Sequence, residues 1–356
     1  MNELRRDPLT GQWVIISEER SGRPQDFLVE RSVRPSHRCP FCEGHEEETP
    51  SEVFSTRSEH SPHNTPGWQI RVVPNKYPAL SPTFDHEDEG AFLLPQPGST
   101  AGDLYGATAG CGIHEVIIES PKHLVRSTDL DAKQLSNVLC MYRNRLQHIR
   151  KNKHIRSGIV FKNAGPEAGA TMEHIHSQLI GLPIVAPLLT AELDAITTYR
   201  GKFDRCLLCD LISAEKQTAK RVITATDRYI AFCPYASRQP YETWILPHVH
   251  QGDFDSVSDE SCDELANILL CTLQSVDALL NKPAYNYMIL TAPFDTASIS
   301  HYHWRIVIIP RTTIQAGFEF GTLCGINPIA PERAAHDLRN YQPSVSTTDD
   351  DCKLVD

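Results

Sequence analysis

No stretch of this sequence is apolar for the ~18 to 20 residues that a membrane span requires, so no membrane association is expected. Positive charge is in deficit as well. The 34 Lys and Arg stand against 45 Asp and Glu, for a net charge of −11. General nucleic-acid binders carry a basic footprint, so that class is set aside, and an anionic ligand would need local cationic help. The opening MNELRRDPLTGQW lacks the apolar core of a secretory leader, and a cytoplasmic protein is expected. Without such a leader, and with an odd total of 11 cysteines, a disulfide framework is disfavoured. What is present is an ordinary soluble composition spread over 356 residues, enough for two domains or one large one.

Four of the cysteines form two CxxC pairs, Cys39/Cys42 and Cys206/Cys209, and metal binding is the reading of those pairs. WVIIS, Val72–Val73 up to Pro74, HEVIIESP, GIVFKN and HIHSQLIGLP read as strands. Residues 43–67 and 80–112 have loop composition. Apolar spacing predicts a helix over 129–151 through Leu135, Val138, Leu139, Tyr142 and Leu146, with Asp129 as its cap. The second half runs in a similar order: CLLC, the strand YETWILP, a helix over 259–280, NYMILTAP, a loop, and HYHWRIVIIP. EVIIESPKH parallels ETWILPHVH, and MEHIHSQLIGLP parallels SISHYHWRIVIIP. The expectation is an internal duplication of a unit of roughly 150 residues, the size of a typical domain.

The run His174-Ile175-His176-Ser177-Gln178 carries the chemistry. Alternate residues of a strand share a face, so His174, His176 and Gln178 stand side by side while Ile175, Ser177 and Leu179 face the other way. A neutral imidazole nitrogen can attack phosphorus and form a covalent nucleotidyl intermediate. Its other nitrogen must be held by a hydrogen bond, and the Gln178 amide can donate to a phosphoryl oxygen as charge develops there. The preceding NAGPEAGATME is rich in Gly and Ala, which would let backbone N–H groups approach phosphate. Taken alone, HxHxQ fits a chance surface strand, and HxH a metal site, equally well.

The segments RRDPLTGQWVIIS…RSGRP, CPFC, VVPNKYPAL, ESPKH, FKNAGPEAGATMEHIHSQ and AGFEFGTLCGIN resemble the galactose-1-phosphate uridylyltransferase family, a branch of the histidine-triad superfamily. The matches are dispersed over nearly the whole chain. The family's usual His-Pro-His is replaced here by His174-Ile175-His176, a departure shared with a plant relative that acts as an ADP-glucose phosphorylase. By this resemblance His176 is the nucleophile and Gln178 its phosphate-binding helper. Arg20 and Arg23 are nucleotide-phosphate contacts, and Asn75 is a base or ribose contact. Asn163, Gly169 and Thr171 lie by the phosphates, and Glu319 holds sugar hydroxyls.

The resemblance also implies two metal sets. Cys39, Cys42, His123 and His174 make a tetrahedral zinc donor set of two thiolates and two imidazoles. The second set is Cys206, Cys209, His250 and a histidine of HYHW. The internal repeat aligns His174 with His301, whereas the plant relative's pattern selects His303. His303 is preferred, with His301 and His248 as rivals, and this second site takes zinc or iron.

The expected fold is α+β: two tandem histidine-triad-like repeats, each a mainly antiparallel sheet with packed helices. Residues 1–190 hold the nucleophile and the first zinc site. Residues 191–341 form a degenerate repeat with the second metal site and the sugar-binding segment, and 342–356 form a disordered tail. The expected activity is that of a UDP-glucose—hexose-1-phosphate uridylyltransferase of galactose metabolism, with nucleotide sugar and hexose 1-phosphate as partners. It would run ping-pong through a uridylyl-histidine in a homodimer with sites across the interface. The alternatives are an ADP-glucose phosphorylase and a zinc-stabilised nucleotide-binding protein without turnover.

Overall fold

A computed structural model describes residues 3–16, 38–57, 61–82, 110–294 and 301–341. Arg20, Arg23 and the tail 342–356 lie outside the described residues. The fold is mixed α+β. Ten strands form one antiparallel sheet: β3 (Phe54–Arg57), β4 (Trp68–Pro74), β5 (Ile113–Ile118), β6 (Ser157–Ala164), β7 (His176–Leu182), β8 (Val222–Ala225), β9 (Tyr229–Phe232), β10 (Thr243–Pro247), β11 (Tyr285–Leu290) and β12 (Arg305–Pro310). Their spatial order is β3-β4-β5-β7-β6-β11-β12-β10-β9-β8. Outward from the central β6–β11 pair, the two halves therefore run β6-β7-β5-β4-β3 and β11-β12-β10-β9-β8. A smaller sheet joins β1 (Glu3–Arg6) and β2 (Trp13–Ile16) to β13 (Gly325–Asn327), bringing the two ends of the described chain together.

Helices α1 (Ala132–Arg150) and α4 (Asp259–Leu279) pack side by side on one face of the sheet. The spacing that predicts α1 is the spacing that is buried: Leu135, Val138, Leu139, Tyr142 and Leu146 are all fully covered. They meet Ile117, Val160, Leu179 and Ile306 of the sheet and Leu265, Leu269 and Leu273 of α4 in the main core. The cap of α1 is Asp131, whose carboxylate accepts the Gln134 N–H at 2.7 Å. Asp129 was the expected cap, but it ends a short 3-10 turn over 127–129 and accepts the Arg126 N–H instead.

On the opposite face the two halves differ. Behind β9, β10 and β12 lie α2 (Pro187–Phe203) and α3 (Leu207–Thr218), which seal a second core of Ile196, Leu208, Ile212, Phe232, Trp244 and Leu246. Behind β4 and β5 lies, among the described residues, a small cluster of Trp68, Val73, Val116 and Ile118 with Phe41 against it. That less covered face carries the histidines. Sequence periodicity missed β3, an edge strand whose side chains are all at least partly exposed, inside a segment expected to be loop. The remaining helices are α5 (Gly317–Thr322) and α6 (Pro331–Asn340). No helix among the described residues is long and apolar enough to cross a membrane.

Candidate active site

β7 begins at His176, so His174 and Ile175 form its entry rather than its first residues. The alternation of faces still holds: Ile175 and Leu179 join the core beneath α1, and the Ser177 hydroxyl bonds Tyr142 of α1 at 2.6 Å. His176 faces the other way and is 8% exposed. Its Nδ1–H donates to the His174 carbonyl at 2.7 Å, which leaves Nε2 with a free lone pair. Burial lowers its pKa, and nearby Lys162 adds to that, so the ring is neutral near pH 7. Phe41, the residue between proline and the second thiol of CPFC, lies edge-on to the imidazole with ring centroids 5.3 Å apart. A cavity of about 430 Å³ opens beside the ring, lined among others by Asn163, Gly165, Glu167, Met172 and His174.

The loop between β6 and β7 forms the cavity wall. Gly165 and Gly169 both take positive φ, +86° and +88°. At Gly165 an added Cβ would also meet Ala284 at 2.8 Å. The N–H groups of Ala168, Gly169 and Ala170 are used inside the loop, on the carbonyls of Gly165 and Pro166. The N–H groups of Thr171, Met172 and Glu173 have no backbone partner among the described residues and remain for an anion, whereas that of Gly169 is used. The Asn163 side-chain oxygen accepts from Asn286 at 2.8 Å, and its Nδ2 lies beside Gly169. Asn286 comes from β11 in the other half and carried no signal in the sequence.

Gln178 follows His176 on the same face. Its Oε1 lies 3.4 Å from Asn75 Nδ2 and 2.8 Å from Nε2 of His114, which sequence reasoning missed. On the helix side, Glu119 accepts from Lys162 at 2.5 Å, from Tyr142 at 2.6 Å and from Ser177, all buried. This satisfied network braces β5, β6 and β7 against α1, directly behind His176.

The first thiol–imidazole set gathers in one place. Donor atoms of Cys39, Cys42, His123 and His174 all lie within 4.8 Å of one another. His174 Nε2–H donates to the Ser120 carbonyl at 2.8 Å, so Nδ1 presents its lone pair to the two thiols, each 3.5 Å away. A backbone acceptor fixing the tautomer of a buried imidazole is the arrangement metal-binding histidines use. Cys206, Cys209, His250 and His303 cluster in the same way, and His303 Nε2 donates to the Pro247 carbonyl at 2.9 Å. His301 offers Cys206 its backbone carbonyl, at 3.5 Å, and His248 bonds the Thr226 carbonyl. Both donor sets, two sulfurs and two nitrogens, suit zinc.

His303 thus makes the contacts that His174 makes. Two residues on, Arg305 stands where His176 stands, and Val307 where Gln178 stands. The repeat alignment that pairs His174 with His301 is therefore shifted by two residues from the structural match of His174 with His303. Arg305 is buried and paired with Glu192 of α2 at 2.5 Å and 3.2 Å. Glu319, in α5, does not line the cavity at His176; its carboxylate accepts the Ala316 N–H at 3.0 Å.

The family described as "Galactose-1-phosphate uridyl transferase, N-terminal domain" matches residues 1–185, and a domain of unknown function, DUF4921, matches 111–343. An ADP-glucose phosphorylase from Arabidopsis thaliana is 35% identical over 342 residues, covering 95% of this chain and 92% of that one. A galactose-1-phosphate uridylyltransferase from Thermotoga maritima is 26% identical, covering 97% and 100%. The crystal structure of an A. thaliana ADP-glucose phosphorylase with bound ADP-glucose superposes with a TM-score of 0.79 at 36% identity, covering 98% of this chain and 100% of that one.

Proposed function

The chain belongs to the galactose-1-phosphate uridyl transferase family of nucleotidyltransferases, and from that premise we propose that His176 carries a nucleotidyl group from a nucleotide sugar to an acceptor phosphate oxygen. The observation that carries this reading is the fixed tautomer. With Nδ1–H given to the His174 carbonyl, Nε2 is the free nucleophile. Nε2 attacks the α-phosphorus, the bond to the bridging oxygen breaks, and the sugar 1-phosphate leaves. The imidazole becomes cationic as the N–P bond forms, and the Nδ1–H···O=C bond strengthens with it. Gln178 and the free amides of the loop receive the charge developing on the phosphoryl oxygens. An acceptor oxygen then attacks the same phosphorus and restores the neutral ring. Asn75, Asn163, Gly169 and Thr171 line the path of the nucleotide in this reading.

Two identities of nucleotide and acceptor rest on different observations. The family match and the T. maritima relative support UDP-glucose with galactose 1-phosphate. The higher identity to the A. thaliana enzyme and Ile175 in the strand entry support ADP-glucose with inorganic phosphate. Both cysteine–histidine sets fit zinc, and the second also iron. Bound metal would cross-link the Cys39–Cys42 turn, His123 and the entry to β7. The mirrored strand order and the matching contacts of His174 and His303 support a duplicated unit, with a division near residue 190 and the second copy degenerate.

The test mixes native protein with UDP-glucose or ADP-glucose and reads intact mass, then adds galactose 1-phosphate or phosphate to discharge the adduct. One nucleotide is expected to load His176 and one acceptor to release it. Absence of any nucleotidyl adduct, or an adduct that survives His176→Ala, would sink the reading.

A further inference from the structure

We propose that His114 is a positioning residue that sets which way the Gln178 amide faces, so that its NH2 group rather than its oxygen meets the phosphoryl group at His176. The proposal rests on the nucleotidyl-transfer reading above. His114 lies on β5 opposite Ile180, while Val116 lies opposite Gln178. His114 is therefore the diagonal cross-strand neighbour of Gln178 on the same face, within reach of a long side chain.

The direction of the hydrogen bonds follows from one unambiguous donor. The backbone N–H of Ala79 lies 3.1 Å from His114 Nδ1, and a backbone N–H can only donate. Nδ1 is thus the acceptor, and the neutral ring carries its proton on Nε2. That Nε2–H points at Gln178 Oε1, 2.8 Å away. Asn75 Nδ2 donates to the same oxygen at 3.4 Å. It also lies 3.1 Å from His114 Nε2, a contact between two donors in this tautomer. With two donors on Oε1, turning the amide over would set N–H groups against N–H groups. Gln178 Nε2 has no partner among the described residues and is the end left free for the substrate.

The segment that supplies the Ala79 N–H is itself pinned. Asn75 N–H donates to the His114 carbonyl at 2.8 Å, Ser81 N–H to the Gly110 carbonyl at 2.8 Å, and Gly112 N–H to the Ser81 carbonyl at 2.7 Å. At Gly112 an added Cβ would come within 2.5 Å of the Gly181 carbonyl and would also strike Leu80, so only glycine lets the segment lie this close to the sheet. The relay runs from a fixed loop amide through His114 to Gln178.

The experiment measures the single-turnover rate of nucleotidyl-histidine formation and the affinity for the nucleotide sugar, with thermal midpoint and metal content as controls. His114→Leu is expected to slow adduct formation by about 10- to 100-fold, the usual loss when a supporting hydrogen bond to a reacting group is removed, with little change in affinity. His114→Gln, whose amide N–H reaches the place of Nε2, should restore most of the rate. His114→Asn, which reaches only the place of Nδ1, should not. In a Gln178→Ala background, His114→Leu should cost nothing further. A wild-type rate in His114→Leu overturns the proposal, as does an equal loss in the Gln178→Ala background. If the leucine variant does not fold, the Gln-against-Asn comparison decides, and equal rates in those two overturn it. A native protein that forms no adduct at all overturns the transfer reading, and the role of His114 with it.

Discussion

At the residue scale, function here depends on which atom of a side chain carries a proton. His174 and His176 are two residues apart and are held by opposite nitrogens: His174 by Nε2 on Ser120, His176 by Nδ1 on the His174 carbonyl itself. The first turns Nδ1 to the thiols, the second turns Nε2 to the cavity. One backbone carbonyl therefore links the thiol–imidazole set to His176, the proposed nucleophile. Charge at single residues matters equally for the edge of the sheet that supports this region. Glu52 is buried, and burial alone would raise its pKa. The Asn64 N–H, Arg71 and Arg57 together hold it below its ordinary value. A carboxyl with a depressed folded pKa adds stability above its unfolded pKa, about 4.3, and loses it as pH falls through the lower folded value. In urea unfolding, Glu52→Gln should be clearly less stable than wild type at pH 7, and the gap should close below pH ~4. A gap that does not change with pH would mean the ion network contributes nothing.

At the scale of elements, the entry to β7 is where this chain departs from its family's usual proline. The Ile175 N–H donates to the Leu124 carbonyl at 2.7 Å, a bond that proline cannot make, while the Ile175 carbonyl accepts the Glu119 N–H at 3.3 Å. The isoleucine side chain is buried in the main core. Ile175→Pro should thus lower the unfolding free energy by about 1–3 kcal/mol, the cost of leaving a partly buried carbonyl unpaired. It should still form the nucleotidyl adduct, because His176 is held by the carbonyl of residue 174, which the substitution leaves in place. Loss of the adduct in a folded variant would show that the N–H of residue 175 also sets the nucleophile. The buried network of Glu119, Lys162, Tyr142 and Ser177 acts on the same element from behind and keeps β7 in register with β5 and β6.

At the scale of the whole molecule, the two halves share a sheet but not its uses. In the second half, α2 closes the face of β12, and Glu192 pairs with Arg305, which stands where His176 stands in the first half. In the first half no helix covers the equivalent face among the described residues, and the cavity remains. The segment around α5 is unusually apolar for a surface: Ile314, Phe320 and Leu323 are 68%, 69% and 69% exposed, and Glu319 sits among them, apart from the cavity lining of its own chain. We propose from this exposed apolar segment that the protein is a homodimer in which Glu319 reaches the partner subunit's site. Mixing His176→Ala with Glu319→Ala after dissociation should then restore activity that neither has alone, since one site of the mixed dimer carries neither change. If sites lie within one chain, mixing restores nothing.

Much was legible where the determinant is local. The helical spacing of α1 and α4, the alternation through β7, and the two CxxC pairs are properties of a few consecutive residues, and the dispersed motifs named the family. Elements whose burial is set from outside were not legible. β3 has no buried face of its own, and α2 and α3 cover a face that only exists once β9, β10 and β12 have paired. Strand parity alone could not choose within HYHW, because His301 and His303 share it; the resemblance preferred His303, and the structure gathers His303 with the thiols. The choice falls to His303 because its Nε2 finds the Pro247 carbonyl while its Nδ1 points to Cys209, 3.6 Å away. His114, Asn286 and Phe41 meet the site across chain separations that no local pattern records. The sequence by itself determined which residues can do chemistry on a phosphoryl group. Only the tertiary structure decided which nitrogen, which amide end and which half of the sheet are free to do it, because those depend on hydrogen-bond partners delivered by other strands.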